Sequence, residues 1–451
     1  MPKQKPPKGR RQKAEAKPKR LPNNKTWFKA FMPKNKYLED IRFGEVDIPF
    51  LILVMVLLVF GLIMMYSASY AWAIHKGQTP DYYFQRQLLW SALGLGVMIV
   101  IASPIFDYHI LRHPLITFGL FGVTVVLMIL VIAGVGSITD GGATRWIEIG
   151  GISFQPSELM KLAVIMLFAS LISANYRKMQ TIKGGIVPYI SILVFVSALM
   201  IAQPHLSGTI IICAIGVSMM FIGGVKKRHF IPLLIIGVAG LTAIAYAMYK
   251  VGNFDYISNR IVSWLYTFEP EYKDIAWQTR NSLIAIGSGG VFGLGLGNSR
   301  QKFLYLPESQ NDFVFSIICE ELGFIGALVV IILFLMLIFR GFSIAENAPD
   351  KYGMLLASGL IIQIGIQAFL NIAVVSNTIP NTGISLPFFS YGGTALILQL
   401  AEMGIILNIS RQSIPKKEKP DSDNAEERAV QNAKNALGAE ARINMDRTRR
   451  R

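Results

Sequence analysis

The sequence predicts an all-α, polytopic integral membrane protein with about ten transmembrane helices, cytoplasmic termini and one large extracytoplasmic loop. Three observations lead to this prediction. The 451-residue chain is 52% hydrophobic and only 16% charged, which is less charge than a soluble domain carries. Runs of about 20 apolar residues recur along it, the length that crosses the hydrocarbon core. Lys and Arg residues are distributed unevenly between alternate connections.

The apolar runs place ten spans within residues 48–410. They are expected near 48–70, 87–103, 115–136, 157–174, 185–203, 206–224, 231–250, 313–339, 353–375 and 390–410. With this arrangement 34 of the 44 Lys and Arg residues lie on one side and 9 on the other. This asymmetry is the positive-inside pattern, so both termini are predicted to be cytoplasmic. The hydrophilic segment 251–311, between the seventh and eighth spans, is then the large extracytoplasmic loop.

Two basic tails flank the membrane domain. Residues 1–47 are rich in Pro and Lys, a composition typical of disorder, and residues 411–451 form a second cytoplasmic tail. Much of the net charge of +16 lies in these tails. Its placement favours a role in topology and contact with anionic lipid over binding to nucleic acid.

The stretch GGATRWIEIGGISFQPSELMKL, residues 141–162, brings polar residues to the outer end of the fourth span. Gln155, Ser157, Glu158 and Lys161 open this span. Glu158 and Lys161 are three residues apart on a helix and so can pair with each other. One interpretation is an ion pair that holds the bundle together. The other is a functional site in which Lys161 binds a phosphate or pairs with a catalytic carboxylate. It is favoured because burying ionisable groups in a membrane is costly.

The glycine-rich run 287–297 also has two interpretations. Its glycines allow close packing of backbone on backbone, and their amides can equally cradle an anion. Arg300 and Lys302 follow directly and favour an anionic ligand. A nucleotide site is not expected, because no strand precedes the run and no G-K-[ST] ends it.

The stretch LPESQNDFVFSIICEELGFIGALVVIILFLM, residues 306–336, places three carboxylates in or beside a span. On one continuous helix Glu320 would lie about 80° and Glu321 about 180° round from Asp312, so the three cannot share one cavity. Asp312, at the water-facing end, is the best candidate for a general base. Glu320 and Glu321 are expected to make structural hydrogen bonds or salt bridges to other helices.

The segment NTIPNTGISLPFFSYGGTALI, residues 377–397, contains several prolines and glycines and predicts broken backbone at membrane depth. Such backbone is tolerated where it is buried in protein or lines a wet cavity. The residues alone therefore indicate a polar cavity open to the outside, and they leave an enzyme and a transporter equally open.

Four stretches together resemble the SEDS family of FtsW, RodA and SpoVE, over residues 45–410. They are GLIMMYSASYA (61–71), GATRWIEIGGISFQPSELMKLAVI (142–165), GLGLGNSRQKFLYLPESQNDFVFSIICEELGFIG (293–326) and PNTGISLPFFSYGGTALI (380–397). The resemblance implies a peptidoglycan glycosyltransferase that polymerises lipid II at the outer face of the bacterial cytoplasmic membrane. It also implies a class B penicillin-binding protein as transpeptidase partner, together with other membrane proteins of cell division.

The resemblance assigns roles to individual residues. Asp312 matches the essential aspartate and would take the proton of the acceptor sugar's 4-hydroxyl. Lys161, Arg145, Lys302 or a divalent cation, Mg²⁺ or Mn²⁺, would stabilise the leaving undecaprenyl pyrophosphate. Trp146 completes the R-W pair. Gln155, Ser157 and Glu158 lie in the Q-P-S-E motif, and Glu320 and Glu321 would support the site.

One position departs from the family motif. His205 stands where that motif usually has aspartate, so the resemblance carries no metal-binding or second-sugar role to this residue. The long basic tail favours an FtsW-type division enzyme at the septum over a RodA-type elongation enzyme. A lipid II flippase and a non-catalytic scaffold are the competing functions.

Overall fold

The computed structural model describes residues 44–412 apart from 136, 141–142, 150–151, 227 and 229–253. The helices are α1 (Ile48–His75), α2 (Tyr82–Ala102), α3 (Pro114–Ile132), α4 (Pro156–Ala174), α5 (Ile182–Gly185), α6 (Val187–Ala202), α7 (Leu206–Ile222), α8 (Phe254–Leu265), α9 (Trp277–Ser288), α10 (Val314–Glu346), α11 (Lys351–Val375) and α12 (Gly393–Arg411). The strands are β1 (Ser137–Asp140), β2 (Ala143–Ile149) and β3 (Ile152–Phe154).

The predicted membrane spans correspond closely to these helices. Eight helical segments are long and apolar enough to cross a membrane, counting Ile182–Ala202 as one. The shorter α7 coincides with a ninth predicted span. The seventh predicted span, 231–250, lies outside the described residues. Most of the two predicted tails also lies outside them.

Burial shows which helices form the centre of the bundle. In the most apolar part of each span, 72% of α4, 67% of α11 and 61% of α12 are buried, against 22% of α2 and α3. Small residues bring neighbouring backbones together, as in many membrane bundles. Gly404 of α12 faces the backbone of Met98 in α2, where an added Cβ would lie 2.9 Å from the Met98 carbonyl oxygen.

A small antiparallel sheet, which the sequence did not lead us to expect, precedes α4. Its strand order is β1-β2-β3, with Ile138 opposite Trp146 and Ile147 opposite Phe154. Ile147 of β2 is buried and the adjacent Glu148 is exposed, as expected where successive side chains of a strand point to opposite faces. The sheet matters for function because β2 carries Arg145 and Trp146 to the rim of the cavity described below.

The loop 251–311 is well structured over its described part, and its glycine run packs against α10. That helix is broken at Gly323, where φ is 68°. At this break, backbone N–H and C=O groups of α10 form hydrogen bonds with the glycine run. Leu294 N donates to Glu320 O at 3.0 Å, and Phe324 N donates to Gly290 O at 2.9 Å.

This contact decides between the two interpretations of the glycine run. A Cβ on Gly289 would lie 1.9 Å from the Cys319 carbonyl oxygen, so no side chain fits there. The amides of Leu294 and Gly295 already donate to carbonyls of α10. The run is therefore a backbone-packing element, and the anion-cradle interpretation is wrong for these amides.

Ionic contacts tie together the helix ends that the predicted topology places on the cytoplasmic side. Asp47 caps α1 and pairs with Arg340 of α10 at 2.8 Å. His109 lies between two carboxylates, 2.7 Å from Asp107 and 3.5 Å from Asp350. Burial opposes the charge on His109, but the hydrogen bonds to Asp107 and Asp350 outweigh it and raise the pKa to about 9. Asp350 also caps α11 through the amide of Gly353.

Candidate functional site

A polar cavity of about 760 Å³ opens at the end of the molecule that the topology places outside. Its lining comes from the helices α2, α4, α7, α8, α9 and α11 and the strands β2 and β3, together with the α6–α7 connection, the segment before α10 and the segment 381–395. Its charged lining side chains, among the described residues, are Arg86, Arg145, Lys161, Arg260, Glu148, Glu158, Glu308 and Asp312. Cations and carboxylates therefore occur in equal number around one space.

Asp312 lies half-buried in the cavity wall, just before α10. Its backbone carbonyl accepts a hydrogen bond from Asn371 Nδ2 at 2.7 Å, and the same amide donates to Ile384 O at 2.6 Å. Asn371 thus ties the segment carrying Asp312 to the segment carrying Ile384. The carboxylate is adjacent to Gly383, where an added Cβ would lie 3.0 Å from Oδ2.

The position of Asp312 corrects one geometric expectation. Phe313 is the cap residue of α10, so Asp312 precedes the helix and the angular offsets expected for one continuous helix do not apply. The separation from Glu320 and Glu321 is nevertheless real, because neither glutamate lines the cavity.

Lys161 is held in place by two partners. Its Nζ lies 2.8 Å from Glu158 Oε2 and donates to Gln367 Oε1 at 2.9 Å. Gln367 in turn donates to the hydroxyl of Ser385 at 3.0 Å. Lys161 is 3% exposed and Glu158 is 15% exposed, so the pair lies in the wall with one side towards the cavity. The predicted Glu158–Lys161 pair is therefore present and also faces the candidate site.

The other predicted site residues of the 141–162 stretch line the same cavity. Arg145 donates to the carbonyl of Pro204 in the α6–α7 connection. Trp146, Gln155 and Ser157 also line the cavity. The sheet and the start of α4 thus deliver the whole predicted cluster to one wall.

Glu320, Glu321 and Lys302 lie together elsewhere, under the glycine run. Lys302 Nζ contacts Glu321 Oε1 at 2.9 Å, Ser67 Oγ at 3.0 Å and Gly297 O at 2.7 Å. Glu320 accepts from the amide of Arg300 at 3.0 Å. All three charged side chains are almost fully buried.

These contacts separate Lys302 from the other predicted cations. Its ammonium group is enclosed by a carboxylate, a hydroxyl and a carbonyl, and it does not line the cavity. A direct contact between Lys302 and a pyrophosphate in this cavity is therefore not supported. The glutamates make the expected structural bonds to other helices, because Glu321 accepts from Ser67 of α1 and Glu320 accepts from Ser288 of α9. Both also accept from the loop 299–302.

Sequence reasoning missed two cations of the cavity wall. Arg260 of α8 donates to Asn381 O, and Asn381 Nδ2 donates to Gln278 Oε1 at 3.0 Å. Arg86 of α2 donates to Tyr82 OH at 2.7 Å. Both belong to the nine Lys and Arg residues on the predicted outer side. Because such residues are few there, each could have been treated as a candidate for the cavity.

The described residues do not form a protein cage for a metal ion. They contain no group of three or more His, Cys, Asp and Glu side chains able to hold one. Mg²⁺ is commonly bound by one or two carboxylates together with substrate phosphates, and Asp312 and Glu308 both line the cavity. The lining is therefore compatible with a cation that arrives with a phosphorylated substrate.

Comparisons with known proteins agree with this picture. A family model for FtsW, RodA and SpoVE, described as "Cell cycle protein", matches residues 48–414. Stage V sporulation protein E of Bacillus subtilis is 40% identical over 370 residues, covering 81% of this chain and 97% of that protein. The probable peptidoglycan glycosyltransferase FtsW of Geobacter sulfurreducens is 37% identical over 364 residues, covering 81% and 95%.

Solved structures show the same fold. A chain described under the structural coordination of polymerization and crosslinking by a peptidoglycan synthase complex matches with a TM-score of 0.65. It is 24% identical and the match covers 81% of this chain and 98% of that one. The rod shape determining protein RodA of Thermus thermophilus matches with a TM-score of 0.58 and 25% identity, covering 82% and 98%.

Proposed function

The chain belongs to the FtsW/RodA/SpoVE family, and on that premise we propose that it is a peptidoglycan glycosyltransferase of the bacterial cytoplasmic membrane. Its substrate would be lipid II, polymerised into glycan strands at the outer face. Relatives named as probable peptidoglycan glycosyltransferases support the reaction class.

One observation carries the proposal: a reachable carboxylate, Asp312, lines the same outer cavity as Lys161 and Arg145. A sugar hydroxyl is a poor nucleophile at neutral pH, so a base must take its proton as it attacks. Asp312 removes the proton from the 4-hydroxyl of the acceptor GlcNAc while that oxygen bonds to the anomeric carbon of the donor. The bond from this carbon to undecaprenyl pyrophosphate breaks, with inversion.

The charge that develops on the leaving pyrophosphate needs stabilisation. Lys161 and Arg145 supply it in this proposal, and Glu158 and Gln367 orient Lys161. A divalent cation held between substrate phosphates and a cavity carboxylate would add positive charge there. Trp146, Gln155 and Ser157 complete the wall on this side.

The proposed cellular role is septal peptidoglycan synthesis during cell division. The long basic N-terminal segment favours an FtsW-type role in septal synthesis over a RodA-type role in elongation. A class B penicillin-binding protein is the proposed partner, because one structural neighbour comes from a peptidoglycan synthase complex. Other division proteins of the membrane would complete the assembly.

The decisive experiment compares polymerisation with transport. The full chain is purified with its class B penicillin-binding partner, whose transpeptidase is blocked, and is supplied with lipid II in the presence and absence of Mg²⁺ or Mn²⁺. Glycan polymer on a gel is the expected result. Movement of lipid II across liposome membranes without any polymer would instead identify a flippase.

A further inference from the structure

Ser157 and His205 are among the described cavity-lining residues that carry a buried side-chain atom without a hydrogen-bond partner. Among the residues that the structure describes, neither Ser157 Oγ nor His205 Nδ1 has a hydrogen-bond partner. Ser157 is 2% exposed and His205 is 7% exposed, and both line the cavity. Buried polar atoms in proteins are nearly always hydrogen-bonded, so two unsatisfied atoms in one cavity point to a ligand that completes them.

The ring of His205 is fixed at the cavity by its surroundings. His205 is the cap residue before α7, and its backbone amide donates to Met200 O at 3.0 Å. Gly208, one turn later, lies against the ring, where an added Cβ would be 2.8 Å from Cε1. The neighbouring Pro204 carbonyl accepts a hydrogen bond from Arg145. The ring therefore stays close to the cationic wall.

The charges around His205 determine what it can bind. Burial, followed by the positive charges of Arg145 and Lys161, lowers the pKa of His205 to about 3. The nearby carboxylate, Glu158, is already paired with Lys161. The imidazole is therefore neutral, with one donor and one acceptor nitrogen. A divalent metal ion at His205 would be repelled by the same two cations.

We propose that His205 and Ser157 form a neutral subsite that recognises an uncharged polar group on the sugar of the substrate, a hydroxyl or an N-acetyl amide. The inference rests on the proposed function. It assigns the pyrophosphate and the sugar of the substrate to two different sets of residues. Lys161 and Arg145 attract the pyrophosphate, and His205 and Ser157 select the sugar attached to it.

The test compares two ligands that share the pyrophosphate lipid and differ in the sugar. The full-length protein in lipid nanodiscs is titrated with lipid II and with undecaprenyl pyrophosphate, and both dissociation constants are measured. His205→Leu is expected to weaken lipid II binding about tenfold, and Ser157→Ala about threefold, the range for one lost hydrogen bond. Affinity for undecaprenyl pyrophosphate should change less than about twofold.

Two further variants guard against an unspecific loss. His205→Asn keeps a polar donor and acceptor and should retain most of the affinity for lipid II. Ser170→Ala is a matched control, because Ser170 also lies in α4, is fully buried and has an unsatisfied hydroxyl among the described residues, yet does not line the cavity. This variant should bind both ligands like the wild type.

The outcomes separate the subsite from the wider proposal. An equal loss for both ligands in His205→Leu and Ser157→Ala, or no loss for either, would overturn the sugar subsite while leaving the polymerase intact. A wild-type protein that binds undecaprenyl pyrophosphate but gains nothing from the sugar would also overturn it. A wild-type protein that binds neither ligand would remove the proposed function itself.

Discussion

Gly383 leaves room for the carboxylate of Asp312: a Cβ at position 383 would lie 3.0 Å from Asp312 Oδ2. Gly383 also has φ of +64°, a conformation that residues with a Cβ rarely adopt. The backbone at Gly383 thus lies directly against the carboxylate of the candidate base.

Substitution of this glycine should impair catalysis through Asp312. Gly383→Ala is expected to reduce the kcat of lipid II polymerisation at least about tenfold, because small misplacements of a catalytic group are costly. Gly77→Ala is the matched control, since Gly77 has φ of +71° and nothing within 4 Å of an added Cβ. Equal losses in the two variants would assign the effect to backbone strain and not to the contact with Asp312.

Removing the charge of Lys302 should destabilise the protein without directly impairing the chemistry. Lys302→Met leaves Glu321 buried without its cation, which typically costs about 3 kcal/mol. The melting temperature should fall, and Glu321→Gln in the same chain should recover part of the loss. Loss of polymerisation in protein that melts like the wild type would instead return Lys302 to the pyrophosphate site.

Two neighbouring glycines should respond in opposite ways to alanine. Gly289→Ala places a Cβ 1.9 Å from Cys319 O. The variant should lower the free energy of unfolding by at least about 1 kcal/mol, and the melting temperature should fall with it. Gly287→Ala, near the end of α9, meets nothing within 4 Å and should be neutral or slightly stabilising. Similar melting temperatures for both variants would contradict the packing of the glycine run against α10.

Stability should decline at alkaline pH through His109. Its folded-state pKa of about 9 lies above the ordinary 6.5, so its contribution is complete below pH 6.5 and is lost as the pH rises through 9. The full shift corresponds to at most about 3 kcal/mol. Melting temperatures between pH 6 and 10 should fall more for the wild type than for His109→Gln. Parallel curves would remove His109 as the cause.

The bundle was predictable from sequence because a membrane allows few solutions. Segments that span a membrane must be long, apolar and helical. Nine of the predicted spans therefore coincide with helices of the described residues. The sequence could single out four charged residues that line the cavity, because charged residues near a membrane core are rare. They are Asp312, Lys161, Glu158 and Arg145. Their meeting in one cavity followed from the shared outer level of the stretches that carry them.

The parts that were missed depend on contacts between distant segments. The break of α10 at Gly323 is stabilised by a glycine run about 30 residues earlier, and no local pattern shows that pairing. Lys302 looked like an available cation because Glu321 and Ser67 enclose it only in the folded chain. Arg260 reaches the cavity through α8, whose position the sequence pattern did not indicate.

The proposed role of Asp312 as general base is tested by the variant Asp312→Asn. The full chain is purified with its class B partner, the transpeptidase is blocked, and initial rates of glycan formation from lipid II are measured. Asp312→Asn should polymerise lipid II at a rate at least about 10²-fold lower than the wild type, with an unchanged melting temperature and unchanged binding of lipid II. Polymerisation by Asp312→Asn at the wild-type rate would contradict this role.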